Sequence, residues 1–345
     1  MRKPGTMLIA AAAGLMTLLG ITGVHLAVDA NRTPKATQAA AATVSLKVVT
    51  WNICGDFSGC PKTATAAETI GKRDAIKKLI DDKQAGAIIL NETCEWYAST
   101  VLEQLNAAVG WKLWYMSFSG ARQYDEGSST RTAWLGRHTR TCAGGRWNSI
   151  IEPDATGQAL GTAILTKGPH DQVAAYQLTS PQDDYSLTAP LLCVRKIYKV
   201  DEPGETVRVC ASHFTPPGGD PVVNGVAPLR TAQGREVADI LASYGNERIV
   251  FGGDLNTFAP DVAAQPNQPL VPVYNLMREC TMDADNLRDG PHTTDWTGGS
   301  GKLDYLFARS NGGNPASLVT SCETGAYDST QPWSDHAWIV GSFVL

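Results

Sequence analysis

The chain has 345 residues, 43% of them apolar and 18% charged, a composition that can bury a full core and is not that of a disordered chain. Its formal net charge of -5 gives no global pull toward nucleic acid or anionic lipid, so any polyanion must be met by a local patch. Eight cysteines without a CxxC pair argue against a structural zinc site.

Arg2 and Lys3 precede the apolar run "MLIAAAAGLMTLLGITGV", and small residues follow at Val28–Ala30. Residues 1–30 therefore read as an export signal peptide, with an uncleaved membrane anchor as the alternative. The Ala- and Thr-rich residues 31–45 read as a disordered leader. All eight cysteines lie beyond the leader, and an even count in an exported chain favours disulfides. Cys54 and Cys60 could close a short loop. Cys193 and Cys210 sit on two runs joined by "DEPGE" and could staple them, but the connectivity as a whole stays open, since eight cysteines permit about 105 pairings.

From residue 46 onward, short apolar runs alternate with amphipathic stretches. "LKVVTW" (46–51) predicts a strand, 68–84 a helix with Ile70, Ile76, Leu79 and Ile80 on one side, and "AGAIILN" (85–91) a buried strand. A second helix is expected over 99–109 and a strand over 111–118. Further strands are expected over 160–166, 190–200, 205–214, 248–253, 302–309 and 336–345, with a helix over 228–245. Hairpin-like and crossover connections alternate, so the sheets should be mixed, and no linker interrupts residues 46–345, which read as one domain.

Polar residues mark the ends of these runs. "LKVVTWN" ends at Asn52, "GAIILNE" at Glu92, "VRVCASH" at His213 and "IVFGGDLN" at Asp254 and Asn256. "LDYLFA" instead opens on Asp304, and "SDHAWIV" on Asp335 and His336. If the late strands run opposite to the early ones, all of these groups reach one rim of the sheets. Clustered carboxylates repel one another, and hard oxygen donors without thiolate suit Mg2+, or Mn2+ or Ca2+, better than zinc. The same set suits phosphoryl chemistry, in which a carboxylate orients or deprotonates water and imidazole or amide donors meet charge on the phosphorus oxygens.

In this order, "TWN", "NE", "SH", "GDLN", "LDYLF" and "SDH" closely resemble the endonuclease/exonuclease/phosphatase superfamily, which includes pancreatic-type deoxyribonuclease, over residues 46–345. The resemblance implies an α+β four-layer sandwich: two packed mixed β-sheets flanked by helices, with the active site at one rim. It implies a metal shell of Asn52, Glu92 and Asp335, with Glu92 the principal ligand. It makes Asp254 the carboxylate that orients or activates the attacking water, Asn256 its phosphate-contacting neighbour, His336 a phosphate-facing histidine held by Asp304, and His213 the second such histidine. Asn91 stands where the family usually has Gln, which leaves the ligand but alters its surroundings.

Residues 121–147 hold Arg131, Arg137, Arg140 and Arg146 among Tyr124, Trp134 and Trp147, a mixture suited to phosphate contact and base stacking. A solvated loop tied down by Cys142 is the alternative. The expected protein is a secreted, divalent-metal-dependent phosphodiesterase acting on a phosphate ester, first of all an extracellular nuclease on DNA or RNA. A sphingomyelinase-type phospholipase C, a phosphatase of small polyphosphates, or an inactive binding protein of the same fold are the competing readings.

Overall fold

A computed structural model describes residues 44–55, 66–110, 112–120, 160–179, 190–197, 206–216, 220, 227–258, 268–282, 291–294, 301–310, 318–325 and 333–345. The expected signal peptide and leader, Cys60, Cys142 and the Arg-rich segment lie outside the described residues.

Two six-stranded sheets are built from β1 (Ser45–Asn52), β2 (Ala87–Cys94), β3 (Trp114–Gly120), β4 (Leu160–Lys167), β5 (His170–Gln177), β6 (Pro190–Ile197), β7 (Thr206–Ser212), β8 (Ile249–Asp254), β9 (Arg278–Glu279), β10 (Asp304–Arg309), β11 (Val319–Thr324) and β12 (Ile339–Val344). One sheet has the order β11-β12-β1-β2-β4-β3, the other β5-β6-β7-β8-β10-β9. Four helices accompany them among the described residues: α1 (Ala66–Lys83), α2 (Glu95–Ala107), α3 (Pro228–Ser243) and α4 (Val271–Leu276).

Side-chain alternation sorts the layers. Leu46 and Val48 of β1 join Ile89, Ile164, Val194, Val209, Val250 and Leu306 in a core between the sheets. Val49 and Trp51, one step out of phase, turn to the other face and pack with Ile76, Ile80, Tyr97 and Val101 of α1 and α2. Behind the second sheet, Phe251, Tyr305 and Phe307 meet Val237 and Leu241 of α3 and Val273 of α4. Helix, sheet, sheet and helix thus form the expected four-layer sandwich. Central strands covered on both faces read as continuous apolar runs, which is why they were visible in the sequence.

Differences from the sequence pattern have physical causes. Ile70 is exposed, and the α1 residue fully buried beside Ile76 is Lys72, whose ammonium donates to the carbonyls of Ile53 (2.7 Å) and Cys54 (3.3 Å). Strand β12 begins at Ile339 rather than 336, because the backbone before it is committed to side chains and to the segment at Thr293 and Thr294, where the Thr293 carbonyl accepts from Ala337 N–H (2.7 Å). His336 N–H donates to Ser334 Oγ (3.1 Å) and its carbonyl accepts from Trp51 Nε1 (2.9 Å). Strands β5 and β11 were not anticipated; they are sheet edges with largely exposed side chains and carry no apolar alternation.

Cys193 and Cys210, directly opposite in the antiparallel β6–β7 pair, are disulfide-bonded as the sequence suggested. A second disulfide, Cys280–Cys322, joins the segment after β9 to β11. Cys54 and Cys94 are each disulfide-bonded as well, which does not pair them with one another. The suggested Cys54–Cys60 pairing involves a residue outside the described set.

Candidate active site

Strand direction gathers the polar ends. β1 runs parallel to β2, and β7 parallel to β8, so Asn52, Glu92, His213 and Asp254 leave their sheets at one rim. β12 is antiparallel to β1 and β10 antiparallel to β8, with Asp304 directly opposite Asp254. The segments that open on Asp304 and His336 therefore start at the rim where the others stop.

Local backbone irregularities then aim the side chains. Glu92 lies inside β2, at a register break against β4 between Leu90 and Thr93, and holds a left-handed φ of 49°. Such a bulge turns a side chain away from strict alternation, and conformations of this kind concentrate at functional sites. Asn256 has φ 48°, fixed on both sides. Its N–H donates to Asp254 Oδ1 (2.9 Å), and its carbonyl accepts from Arg230, whose guanidinium is anchored on buried Asp220 (3.1 Å). Gly253 has φ 137°, and a Cβ there would sit 2.0 Å from the Ser212 carbonyl oxygen, so only glycine lets β8 approach β7 just before Asp254.

Two carboxylate–imidazole groups result. In one, Glu92, His213 and Asp254 bring candidate ligand atoms within 4.8 Å of one another; in the other, Asp254, Asp304 and His336 do so. His213 Nε2 is 3.4 Å from Asp254 Oδ2 and 3.7 Å from Glu92 Oε1. His336 Nε2 is 3.7 Å from the same Asp254 oxygen, while its Nδ1 meets Asp304 Oδ2 at 2.7 Å. Asp254 is the shared member.

Asn52 is oriented as a clamp. Its Nδ2 donates to Glu92 Oε1 (3.0 Å) and to Asp254 Oδ2 (2.9 Å), while its Oδ1 accepts from Cys54 N–H (2.9 Å). Asn256 Nδ2 donates to the Phe214 carbonyl (3.0 Å), which leaves one of its two amide hydrogens for another acceptor. Asp335 belongs to neither group; its Oδ1 lies 3.4 Å from Ser334 Oγ, and its charge acts on the neighbouring His336. Arg131, Arg137, Arg140 and Arg146 lie outside the described residues.

Of the supporting residues, Asn91 was singled out by the sequence and the others were not. Asn91 Oδ1 accepts the Asp254 N–H (2.9 Å), so the amide that replaces the usual Gln ties β2 to β8. Thr293 Oγ1 accepts from the N–H groups of Leu303 and Asp304, and Ser334 Oγ donates to the Asn52 carbonyl (2.6 Å). Short hydroxyl and amide side chains in loops are too common to be singled out without their partners. The "TWN" and "SDH" motifs are the only hint for Trp51 and Ser334.

Burial and charge set the protonation of the site. Burial alone would raise Asp254, but His336, His213 and the Asn52 amide overcome it and hold the carboxyl down to about 2. Burial, helped by the charge of Asp254, pushes Asp304 upward against the pull of His336. Burial would lower both histidines, yet Asp304 and Asp254 raise His336 well above the ordinary value, and Asp254 and Glu92 raise His213. The folded chain in chelator therefore binds more protons above about pH 6.5 than the unfolded chain does. Its stability is expected to be highest below that pH and to fall as pH rises through the elevated histidine values. Denaturant titrations between pH 6 and 9 check this, and Asp304→Asn should flatten the fall.

A two-sheet sandwich whose rim carries an Asp–His pair, a second imidazole and a bulge-mounted glutamate is the architecture of a phosphoesterase class. A family model described as the endonuclease/exonuclease/phosphatase family matches residues 49–336, and the chain belongs to that family. The human Nocturnin catalytic domain with bound sulfate superposes with a TM-score of 0.55 at 16% identity, over 88% of this chain and 97% of that one. An endonuclease/exonuclease/phosphatase protein from Beutenbergia cavernae gives 0.54 at 21% identity, over 87% and 72%. D. rerio TDP2 complexed with a single-strand DNA product gives 0.54 at 13% identity, over 87% and 98%. These likenesses are of fold, and no curated protein matches the chain.

Proposed function

We propose that the chain is a secreted, divalent-metal-dependent phosphodiesterase acting on nucleic acid. The observation that carries this reading is Asp254 Oδ2, buried and ionised, with imidazoles of His213 and His336 at 3.4 and 3.7 Å and Asp304 behind the second.

Asp254 accepts a hydrogen bond from the attacking water and fixes its line of approach. A carboxyl held near 2 is a weak base, so its contribution is orientation and charge more than lasting proton storage. Protonated His336 and His213 donate to phosphate oxygens as charge develops on them. Asp304 fixes the tautomer of His336, through Nδ1, and stabilises its imidazolium. Asn52 holds Glu92 and Asp254 in register, a positioning part that its donor orientation favours over ligation.

The donor set fits a hard divalent cation. Glu92 is partly open to solvent, its oxygen faces Asp254 and His213, and the buried Asp304 Oδ1 has no hydrogen-bond partner among the described residues. Glu92 with Asp254 would hold the ion, Asp335 joining from the adjoining segment. When bound, it would offset carboxylate repulsion and neutralise phosphate charge.

Phe258 supports a nucleic-acid substrate. It is 62% exposed two residues beyond Asn256, and a Cβ on Gly301 would lie 2.1 Å from its ring. Gly301 bridges Thr294, which bridges His336, so the ring rests on the backbone beside the site. An exposed aromatic face there suits base stacking, worth roughly 1–3 kcal/mol per base. Phe258→Ala is expected to raise KM for single-stranded DNA or RNA about tenfold while leaving kcat for a simple diester unchanged.

Export is supported by the disulfides, which persist in oxidising compartments, with residues 1–30 as the signal and 46–345 as the catalytic domain. No helix among the described residues is long and apolar enough to cross a membrane. The test is one panel of plasmid DNA, RNA, sphingomyelin, inositol polyphosphate and a simple diester, with and without magnesium. Turnover of sphingomyelin or inositol polyphosphate in preference to both nucleic acids would overturn the substrate assignment.

A further inference from the structure

We propose that the first turns of α3 brace the rim from behind, with Arg230 and Gln233 as positioning residues for the phosphate contacts of Asn256 and His213, a role that rests on the phosphodiesterase reading of that rim. The β7–β8 ladder makes its last pair at Ala211 and Gly252, so the segments that carry His213 and Asn256 run on without it. Phe214, Thr215, Leu255 and Asn256 are buried there, and their backbone groups must find other partners. Some lie within the rim: Phe214 N–H donates to the Asp254 carbonyl (3.0 Å), and the Phe214 carbonyl accepts from Asn256 Nδ2 (3.0 Å). Others come from α3. Arg230 Nη1 donates to the Asn256 carbonyl, while Gln233 Oε1 accepts the Thr215 N–H (3.1 Å) and its Nε2 donates to Thr215 Oγ1 (2.7 Å) and to the Thr179 carbonyl (2.8 Å). Residues at this spacing share one face of a helix, so a single rigid element holds both segments.

The two side chains are themselves held. Arg230 is 5% exposed and Gln233 fully buried. The guanidinium donates from Nε to Asp220 Oδ2 (3.1 Å) and from Nη2 to the Asp220 carbonyl (3.1 Å). The same carboxylate caps the helix, accepting from Leu229 N–H (3.0 Å) and Arg230 N–H (2.8 Å), where Ala227 offers no side-chain cap. One buried Asp therefore fixes both where α3 begins and where its guanidinium points. On Gln233 the oxygen and the amide nitrogen are engaged together, which leaves the side chain little freedom. A Cβ on Gly234 would stand 1.8 Å from the Pro269 carbonyl oxygen, so α3 is also seated tightly against the segment that enters α4. A left-handed φ on a residue other than glycine persists only where its surroundings enforce it, and the guanidinium on the Asn256 carbonyl is one of the two holds that do so.

The test is hydrolysis of a simple diester with magnesium by the whole chain and two variants. Arg230→Lys keeps the charge beside Asp220 and loses the planar fork, and Gln233→Met keeps the volume and loses the hydrogen bonds. Each should lower kcat about 10- to 100-fold with KM changed less than about threefold, and each should still unfold cooperatively. Double variants give a readout that a general loosening would not move. Arg230→Lys should slow the Asn256→Ala chain by less than about twofold, and Gln233→Met the His213→Ala chain likewise, because the group being positioned is already gone. Wild-type kcat in either folded single variant overturns the proposal, as does an undiminished loss in the double variants. If Arg230→Lys fails to fold, the Gln233→Met cycle decides alone; if both fail, the two residues are structural and the proposal is overturned. A wild-type chain that hydrolyses no diester overturns the phosphodiesterase reading itself, and these roles with it.

Discussion

Replacing Asp254 by Asn is expected to lower kcat for diester hydrolysis by roughly 10³–10⁴-fold, with KM changed far less. The carboxylate is the one group that touches both imidazoles and the Asn52 clamp, so its charge sets the state of the whole site. An amide there leaves His213 and His336 with a weaker reason to stay protonated, and it places a donor where Asn52 or the Asn256 N–H already donates. The fold should survive, because the same change removes a buried charge that opposes Asp304, and thermal unfolding of the variant provides the control. Wild-type kcat in Asp254→Asn would refute the assigned role.

Glu92→Gln is expected to raise the magnesium concentration needed for half-maximal turnover on the order of 100-fold, and chelator should abolish turnover of the wild-type chain. A readout independent of catalysis accompanies this. Without metal, Glu92 faces Asp254 at close quarters, and Gln keeps an oxygen to accept from Asn52 while deleting one negative charge. The metal-free variant should therefore unfold at the same temperature as the wild type or higher, and added magnesium should stabilise it less. A variant with undiminished magnesium response would remove Glu92 from the metal shell.

The central strands were legible because both of their faces are buried, which produces unbroken apolar runs such as those of β2 and β8. The rim was legible for a related reason: a carboxylate, amide or imidazole that interrupts such a run must leave the core where the run ends. Edge strands β5 and β11 were not, since a strand paired on one side, with only a few half-buried side chains such as Tyr176 and Val319 touching a core, carries no clear pattern. Nor was Lys72, whose burial depends on two carbonyls of the segment after β1. Its place on α1 looks like any solvated lysine until that segment is folded against it.

What the linear sequence determined by itself was the central strands, their mixed sheets and the residue types delivered to one rim, because periodic burial and interrupted burial are both written residue by residue; the four-layer class followed from the resemblance of its ordered motifs to a known family. Tertiary structure alone decided which of those residues meet: that Asp254 is shared between two groups, that Asn52 presents nitrogen and not oxygen to the carboxylates, and that Asp335 stands apart from both. It also decided the left-handed turn at Glu92 and the hold of Arg230 on Asn256 and of Gln233 on Thr215. Distances of 3 to 4 Å between residues up to 285 positions apart are set by strand direction and register, as in the Trp51–His336 bond, and no local pattern encodes them.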